Sequence, residues 1–300
     1  MAELSQEENA VETREAEHEE ARQALKRRSR LGVMFWLPAA WLVLVAGLAI
    51  TAPILPIPPL DDADFLNLQG PPSLEHPFGT DVLGRSILSR TVNGARVSLT
   101  VGFAAPAVGL LFGFFLGVFA GYYRGRLDDV IGLAIDSWLA FPGLVILLLF
   151  SVTFGGSLPT VCFALGLLFI PAAARITRAT TLAFVEREFV IAARAMGATD
   201  ARIIALEIFP NIVWPIVTYI LIAVPIAIVA EGALSFLGLS VASPTPSWGG
   251  MIAEGREHLE ETPHISLIPT AVMFATVLSF NLVGDTVRRR FSDIRESAIG

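Results

Sequence analysis

The sequence predicts an all-α membrane protein with six transmembrane helices and both termini on the cytoplasmic side. Three observations predict it. The 300-residue chain is 54% hydrophobic and only 16% charged, with a mean hydropathy of +0.64, whereas soluble domains carry about a quarter charged residues. The apolar residues are blocked: residues 31–60 and 97–123 contain no charged side chain. A bilayer span needs about 20 apolar residues, and a helix in a soluble core would show a polar face that these runs lack. The third observation is the placement of arginine.

Six spans are expected, at about 33–55, 98–121, 130–151, 158–177, 213–238 and 265–284. The first follows a polar tail, is too long for a signal-peptide core and lacks a small-residue cleavage site, so it is read as a retained span. With both termini inside, all but Arg85, Arg90, Arg96 and Arg256 of the 21 basic residues fall at the cytoplasmic side. Those nearest the span ends, such as Arg30, Arg124, Arg126, Arg178 and Arg288, are the ones that orient a chain. The net charge of −7 does not oppose this, because acidic residues contribute little to orientation. Residues 1–30 form an acidic cytoplasmic tail of disordered composition. Residues 31–96 hold the first span and a long extracytoplasmic segment, 97–287 the remaining spans, and 288–300 a basic cytoplasmic tail. Within 56–96, the first half is rich in Pro and Asp. The second half, from Asp81, reads as a helix with Ile87, Leu88 and Val92 at the membrane surface.

Several chemistries are excluded or unsupported. The single cysteine, Cys162, lies in a span and has no partner for an internal disulfide. The four histidines stand apart without metal-ligand spacing, and His76 and His258 read as solvated loop residues. The only lysine is Lys26, so no phosphate-binding loop of the G-x-x-x-x-G-K-[ST] type exists in this chain. No catalytic constellation is found.

One stretch interrupts the apolar pattern: EREFVIAARAMGATDARIIALEIFP, residues 186–210. Seven charges at the bilayer centre would cost roughly 20 kcal/mol, so the stretch lies in the cytoplasm. Glu188 and Arg194 are among its charges, and Phe189, Ala192, Ala193 and Met196 recur at helical spacing, giving one apolar face. Gly197 suits a left-handed helix stop. After Ala198, Thr199 or Asp200 caps a second short helix carrying Arg202, with Ile203, Leu206 and Ile208 on one side and Pro210 closing it. Two readings stand: a helix pair lying on the membrane, or a docking element for a cytoplasmic partner.

Other features belong to the spans. Gly109, Gly113, Gly117 and Gly121 form one stripe, the kind that lets backbones approach in lipid, against a neighbouring span or a partner chain. Pro106, Pro142, Pro215 and Pro225 fall within spans, as hinges or as fixed bends. Asp136 and Glu231 sit at membrane depth, where ionisable side chains mark pathways or buried pairs. Asp136 has Arg175 or Arg178 within reach, and Glu231 is expected near the outer end of its span, partly solvated.

The spacing Ala192-Ala193-x3-Gly197-x12-Pro210 resembles the EAA loop of ABC-importer permeases. Ile191 stands where that family usually has glutamate, and Glu207 and Phe209 where it has isoleucine and leucine. HPFGTDVLGRSILSRTVNGARVSL (76–99), with EGALSFLGL and PTPSWGGMIAEGR (231–256), resembles permeases for dipeptides, oligopeptides and nickel. The chain most resembles the C-type subunit of that group. The resemblance implies the type I importer permease fold and a location in the bacterial inner membrane. It implies that residues 182–212 transmit ATPase closure to the spans. It also implies partners: a second permease in a heterodimer, two ATPase subunits that hold ATP and magnesium, an extracytoplasmic binding protein, a peptide substrate and membrane lipid, but no nucleic acid. The chain itself would hold no cofactor or metal and would not be an enzyme. Nickel or another small solute is the alternative substrate. A stand-alone secondary carrier or channel, and a membrane scaffold that transports nothing, are the alternatives of other classes.

Overall fold

The computed structural model describes residues 33–297; the acidic tail at 1–30 and the last residues of the basic tail lie outside them. Among the described residues the regular structure is helical, apart from two isolated bridges, Ala63 with Arg85 and Thr80 with Ser86.

Helix α1 (Val33–Thr51) ends in a single 3₁₀ turn, Ala52–Ile54. It packs on the last helix, where Trp41 Nε1 donates to Thr276 Oγ1 at 3.1 Å. An irregular extracytoplasmic segment follows, and α2 (Ile87–Tyr123) begins at the Ser86 cap. The helix expected from Asp81 therefore starts later. Asp81 Oδ1 accepts the backbone N–H groups of Leu83 and Arg85, at 2.8 and 2.9 Å, a local arrangement that competes with helix. Gly84 then takes φ +77°. Ile87 and Val92, expected at the membrane surface, are buried instead. Ile87 packs with Met251 and Ile265 in a small outer core.

The third expected span is not one helix. It is α3 (Gly125–Ala140) and α4 (Gly143–Phe154), bent by 78°. Pro142 is the cause. Proline forces its predecessor out of the helical region, and Phe141 has φ −79°, ψ 132°. Pro142 thus sits between two helices, while Pro106, Pro215 and Pro225 lie inside helices.

Helix α5 (Leu158–Val185) packs along α2 for most of its length. The glycine stripe makes this possible, so it serves a neighbouring span of the same chain. A methyl group on Gly113 would lie 2.6 Å from Ala173 Cβ, one on Gly117 2.5 Å from the Ala174 carbonyl oxygen, and one on Gly121 2.8 Å from Thr181 Cβ; Gly109 meets Phe169 equally closely.

The short helix α6 (Glu188–Ala195) leads into α7 (Asp200–Phe236). Helix α8 (Trp248–Gly255) lies at the outer face, and α9 (His264–Ser297) closes the bundle. Trp248 is wholly enclosed; its ring N–H donates to the Thr91 carbonyl at 3.0 Å and its backbone N–H to Ser98 Oγ at 3.1 Å.

Among the described residues five helices, α1, α2, α5, α7 and α9, are long and apolar enough to cross a bilayer, and the bent pair α3–α4, taken as one broken span, brings the number to six. Helix α2 has 37 residues, about 55 Å at 1.5 Å per residue, against a hydrocarbon core of about 30 Å. It therefore extends beyond the membrane.

Candidate functional site

The charged stretch folds as α6, a turn and the first turns of α7. Glu188 lies in the first turn of α6 and Arg194 in the last, each at the helix end whose partial charge it complements. The turn is a Schellman motif. Ala198 N–H donates to the Ala193 carbonyl and Gly197 N–H to the Arg194 carbonyl, both at 3.0 Å. Gly197 supplies the positive φ, +84°, that this motif requires.

The expected apolar face is divided. Ala193 turns inward with Val190, against Phe184, Ile203, Ile208 and Ile212. Phe189, Ala192 and Met196 face outward, Met196 with 83% of its surface exposed. Ile203 and Ile208 share a buried face, but Leu206 does not. The cause is a π-helical turn over Ile203–Ile208, in which residues five apart align. Phe209 N–H bonds the Ile204 carbonyl. The same widening lets α7 run on through Pro210, which has no N–H to donate and would clash with the carbonyl four residues back in a regular helix. Pro210 therefore does not close a short helix; the second helix of the pair is the beginning of a span.

Tyr122, at the inner end of α2, holds both sides of the turn. Its hydroxyl donates to Asp200 Oδ1 at 2.7 Å and lies 3.4 Å from Arg194 Nη2, and the Arg194 guanidinium stands 5.7 Å from the ring centroid. Arg124 pairs with Glu186 at 2.8 Å. Arg202 is exposed. Sequence reasoning missed Tyr122, which is 78 positions from Asp200 and bears no motif.

The membrane-depth carboxylates have different surroundings. Asp136 pairs with Arg175 at 2.7 Å, and both side chains are more than half exposed. Arg178 grips Asp128 with two nitrogens, at 2.5 and 2.6 Å. Glu231 is fully enclosed, not partly solvated. Its Oε1 accepts from Ser235, Ser240 and Ser247, at 3.0, 2.6 and 2.8 Å. Oε2 has no hydrogen-bond partner among the described residues. The chain after α7 turns at Gly238, with φ +70°, and folds back over this carboxylate.

A second charged cluster lies at the outer face. Asp81 pairs with Arg85 at 2.7 Å and with Arg90 at 2.6 Å, and Glu254 pairs with Arg90 at 2.7 Å and Arg85 at 3.4 Å. Burial pushes the Glu254 carboxyl above its ordinary value, with Arg85 opposing. In the sequence the two arginines of this cluster, Arg85 and Arg90, stand out as exceptions to the cytoplasmic placement of basic residues and as part of the 76–99 stretch, with nothing to pair them with Glu254.

A bundle of apolar spans with ion pairs set among them, and a short anchored helix outside it, is the architecture of a multi-pass membrane protein. The family model described as "Binding-protein-dependent transport system inner membrane component" matches residues 113–293, and the chain belongs to that family. It is 38% identical over 263 residues, 87% of each chain, to the glutathione transport system permease protein GsiD of Escherichia coli O6:K15:H31. It is 38% identical over 225 residues, 75% of each chain, to GsiD of Pectobacterium atrosepticum. Its fold is similar to that of the MetNI methionine ABC transporter in an inward-facing form, with TM-score 0.56 and 18% identity over 68% of this chain and 97% of that one. An amino acid ABC transporter with histidines gives TM-score 0.51 and 20% identity over 68% and 94%. The chain is therefore a multi-pass inner-membrane permease of an ABC importer, a transport subunit and not an enzyme. Such a permease works with a partner permease, ATPase subunits and a substrate-binding protein.

Proposed function

We propose that this chain forms half of a translocation pathway for di- and oligopeptides, paired with a second, similar permease chain. Two ATPase subunits, which hold ATP and magnesium, work beneath the pair, one of them seated on the turn between α6 and α7. The observation that carries the docking is the division of α6. Val190 and Ala193 fix the helix to the bundle while Phe189, Ala192 and Met196 present apolar surface outward. Exposed apolar side chains beside charged ones suit a groove in a partner protein. Tyr122, bonded to Asp200 and beside Arg194, gives displacement of the turn a direct route to α2. This chain contributes differential contact with two states, and no chemistry. The peptide reading draws on the relatives named as glutathione permeases, since glutathione is itself a small peptide.

The test is mass spectrometry of the complex that co-purifies with the C-terminally tagged chain in mild detergent. Two ATPases, a second six-span permease and a binding protein carrying a peptide are expected. A binding protein loaded with a metal ion or a sugar would overturn the peptide assignment. A well-folded chain purifying alone would overturn the assembly.

A further inference from the structure

A cavity of about 570 Å³ opens between α2, α3 and α5 toward the inner half of the bundle. Its back wall is nearly bare, formed by Gly117, Ala120 and Ala174, and its charged lining is Asp128, Asp129 and Asp136 from α3 with Arg175 and Arg178 from α5. That set holds three carboxylates and two guanidiniums. We propose that this cavity is a transit site for zwitterionic peptides, in which Arg175 receives the terminal carboxylate and Asp136, with Asp129, receives the terminal ammonium. The proposal rests on the peptide-importer reading above and adds the place where the pathway meets the peptide's own charges.

Three observations carry it. First, Asp136 and Arg175 are bonded at 2.7 Å, yet 66% and 58% of their side-chain surfaces remain open. Asp136 lies about three turns, some 16 Å, along α3 from its cytoplasmic start. Charges so exposed cannot face hydrocarbon; ionisable side chains in spans face water-filled space or other protein. On the pathway reading above, in which the two permease chains enclose a water-filled path, the open side of the pair is aqueous.

Second, the pair suits a ligand carrying one charge of each sign. An exposed ion pair is weak, so it opens at little cost. A zwitterion inserted between the partners gives each a new counter-ion and leaves the net charge of the site unchanged. Asp129 is exposed and adds a carboxylate to the Asp136 side. Arg178 stays committed to Asp128 through two bonds and keeps α3 fixed while the outer pair opens.

Third, the cavity has little with which to read side chains. Glycine and alanine form its wall, and α3 adds Gly132 and the aliphatic Ile131, Leu133 and Ile135, with no aromatic or uncharged polar side chain in the lining. A volume near 570 Å³ falls within the ordinary range of small-molecule sites, about 300–1,000 Å³. A site of this kind binds what all peptides share, their two termini, and is indifferent to the residues between.

The alternative is that both ion pairs only brace α3 against α5. Saturation-transfer NMR on the complete complex in nanodiscs, without nucleotide or binding protein, separates the two. The probes are dialanine and N-acetyl-dialanine amide, which has the same side chains and no charge. Transfer to dialanine is expected to exceed transfer to the blocked peptide several-fold, and to fall several-fold in Arg175→Gln and in Asp136→Asn. Arg175→Lys, which retains the charge, keeps part of it. Equal transfer to both probes on the unaltered complex overturns the site, as does dialanine transfer unchanged in both neutral variants. If those variants fail to assemble, the two-probe comparison on the unaltered complex decides. Dialanine uptake by a complex without these effects leaves the importer reading standing and removes only the site. No peptide uptake by the unaltered complex at all removes the peptide reading itself.

Discussion

Tyr122 donates its hydroxyl proton to Asp200 across 2.7 Å, joining the inner end of α2 to the first turn of α7. Removing that hydroxyl tests whether the turn is mechanically tied to the spans. Tyr122→Phe keeps the ring beside Arg194 and loses the bond to Asp200 together with the longer one from Arg194. A hydrogen bond to a charged group contributes about 1.5–3 kcal/mol. Amide exchange across 194–203 should quicken, and uptake should fall several-fold at normal abundance. Unchanged uptake with measurably looser amides would show that the tie does not transmit motion.

Gly197 isolates conformation from packing. A side chain there meets nothing within 4 Å, yet φ is +84°, a conformation costly for non-glycine residues by roughly 1–2 kcal/mol and worst for β-branched ones. Gly197→Val should therefore abolish ATP-coupled uptake while the chain still inserts. Asn tolerates positive φ, so Gly197→Asn should retain much of the activity. Uptake assayed beside membrane abundance checks both, and equal loss in the two variants would mean that bulk matters more than φ.

The spans were legible because bilayer burial imposes one rule on many residues at once, and blocked apolar runs are its imprint. Gly197 was legible for a local reason, since a helix stop of positive φ selects glycine. What escaped the sequence depends on distance or on small geometric choices. The 78° bend at Phe141 and Pro142 competes with an ordinary proline kink, and periodicity does not choose between them. The π turn at Ile203–Ile208 shifts the buried face relative to a 3.6-residue repeat, which misassigned Leu206 and made Pro210 an end. Glu231 was expected at a wet helix end because Ser240 and Ser247, which cover it, lie beyond the span in a loop whose path no local pattern specifies.

The contact between α2 and α5 should be intolerant of a single methyl. Gly113→Ala places a carbon 2.6 Å from Ala173 Cβ, while Gly47→Ala on α1 meets nothing within 4 Å. Overpacking a tight contact costs about 1–3 kcal/mol. The melting temperature of the purified complex should drop for Gly113→Ala and stay level for Gly47→Ala. An equal response would remove close backbone approach as the reason for the stripe.

The extracytoplasmic segment should loosen in acid through Asp64. Hydrogen bonds from the Asn67 amide (2.6 Å) and the Leu66 N–H (3.0 Å) hold this carboxyl below its ordinary value of 3.8, with His76 nearby adding to the effect. A depressed folded-state pKa stabilises above the unfolded value, and that contribution disappears as the pH falls through the folded one. Hydrogen exchange around 64–67 and 84, corrected for intrinsic rates, should therefore accelerate as the pH falls below the ordinary carboxylate value of 3.8. Asp64→Asn should remove the dependence; its persistence in that variant would assign it to another group.

Glu231 should act as a staple for the outer loop. Its Oε1 is the shared acceptor for Ser235, Ser240 and Ser247, drawn from the end of α7, the loop beyond it and the cap of α8. Glu231→Gln retains a carbonyl oxygen for all three donors, so the loop should stay in place. Glu231→Leu is similar in bulk but leaves the enclosed Ser240 and Ser247 hydroxyls without their acceptor, at about 1–3 kcal/mol for each that finds no other partner, while Ser235 keeps the Glu231 backbone carbonyl. The expected result is a complex that assembles and transports with Gln, and one that melts several degrees lower and loses uptake with Leu. The reverse order, transport lost with Gln in a complex of normal stability, would mean that the charge itself is used in the pathway and that the enclosure opens during the cycle.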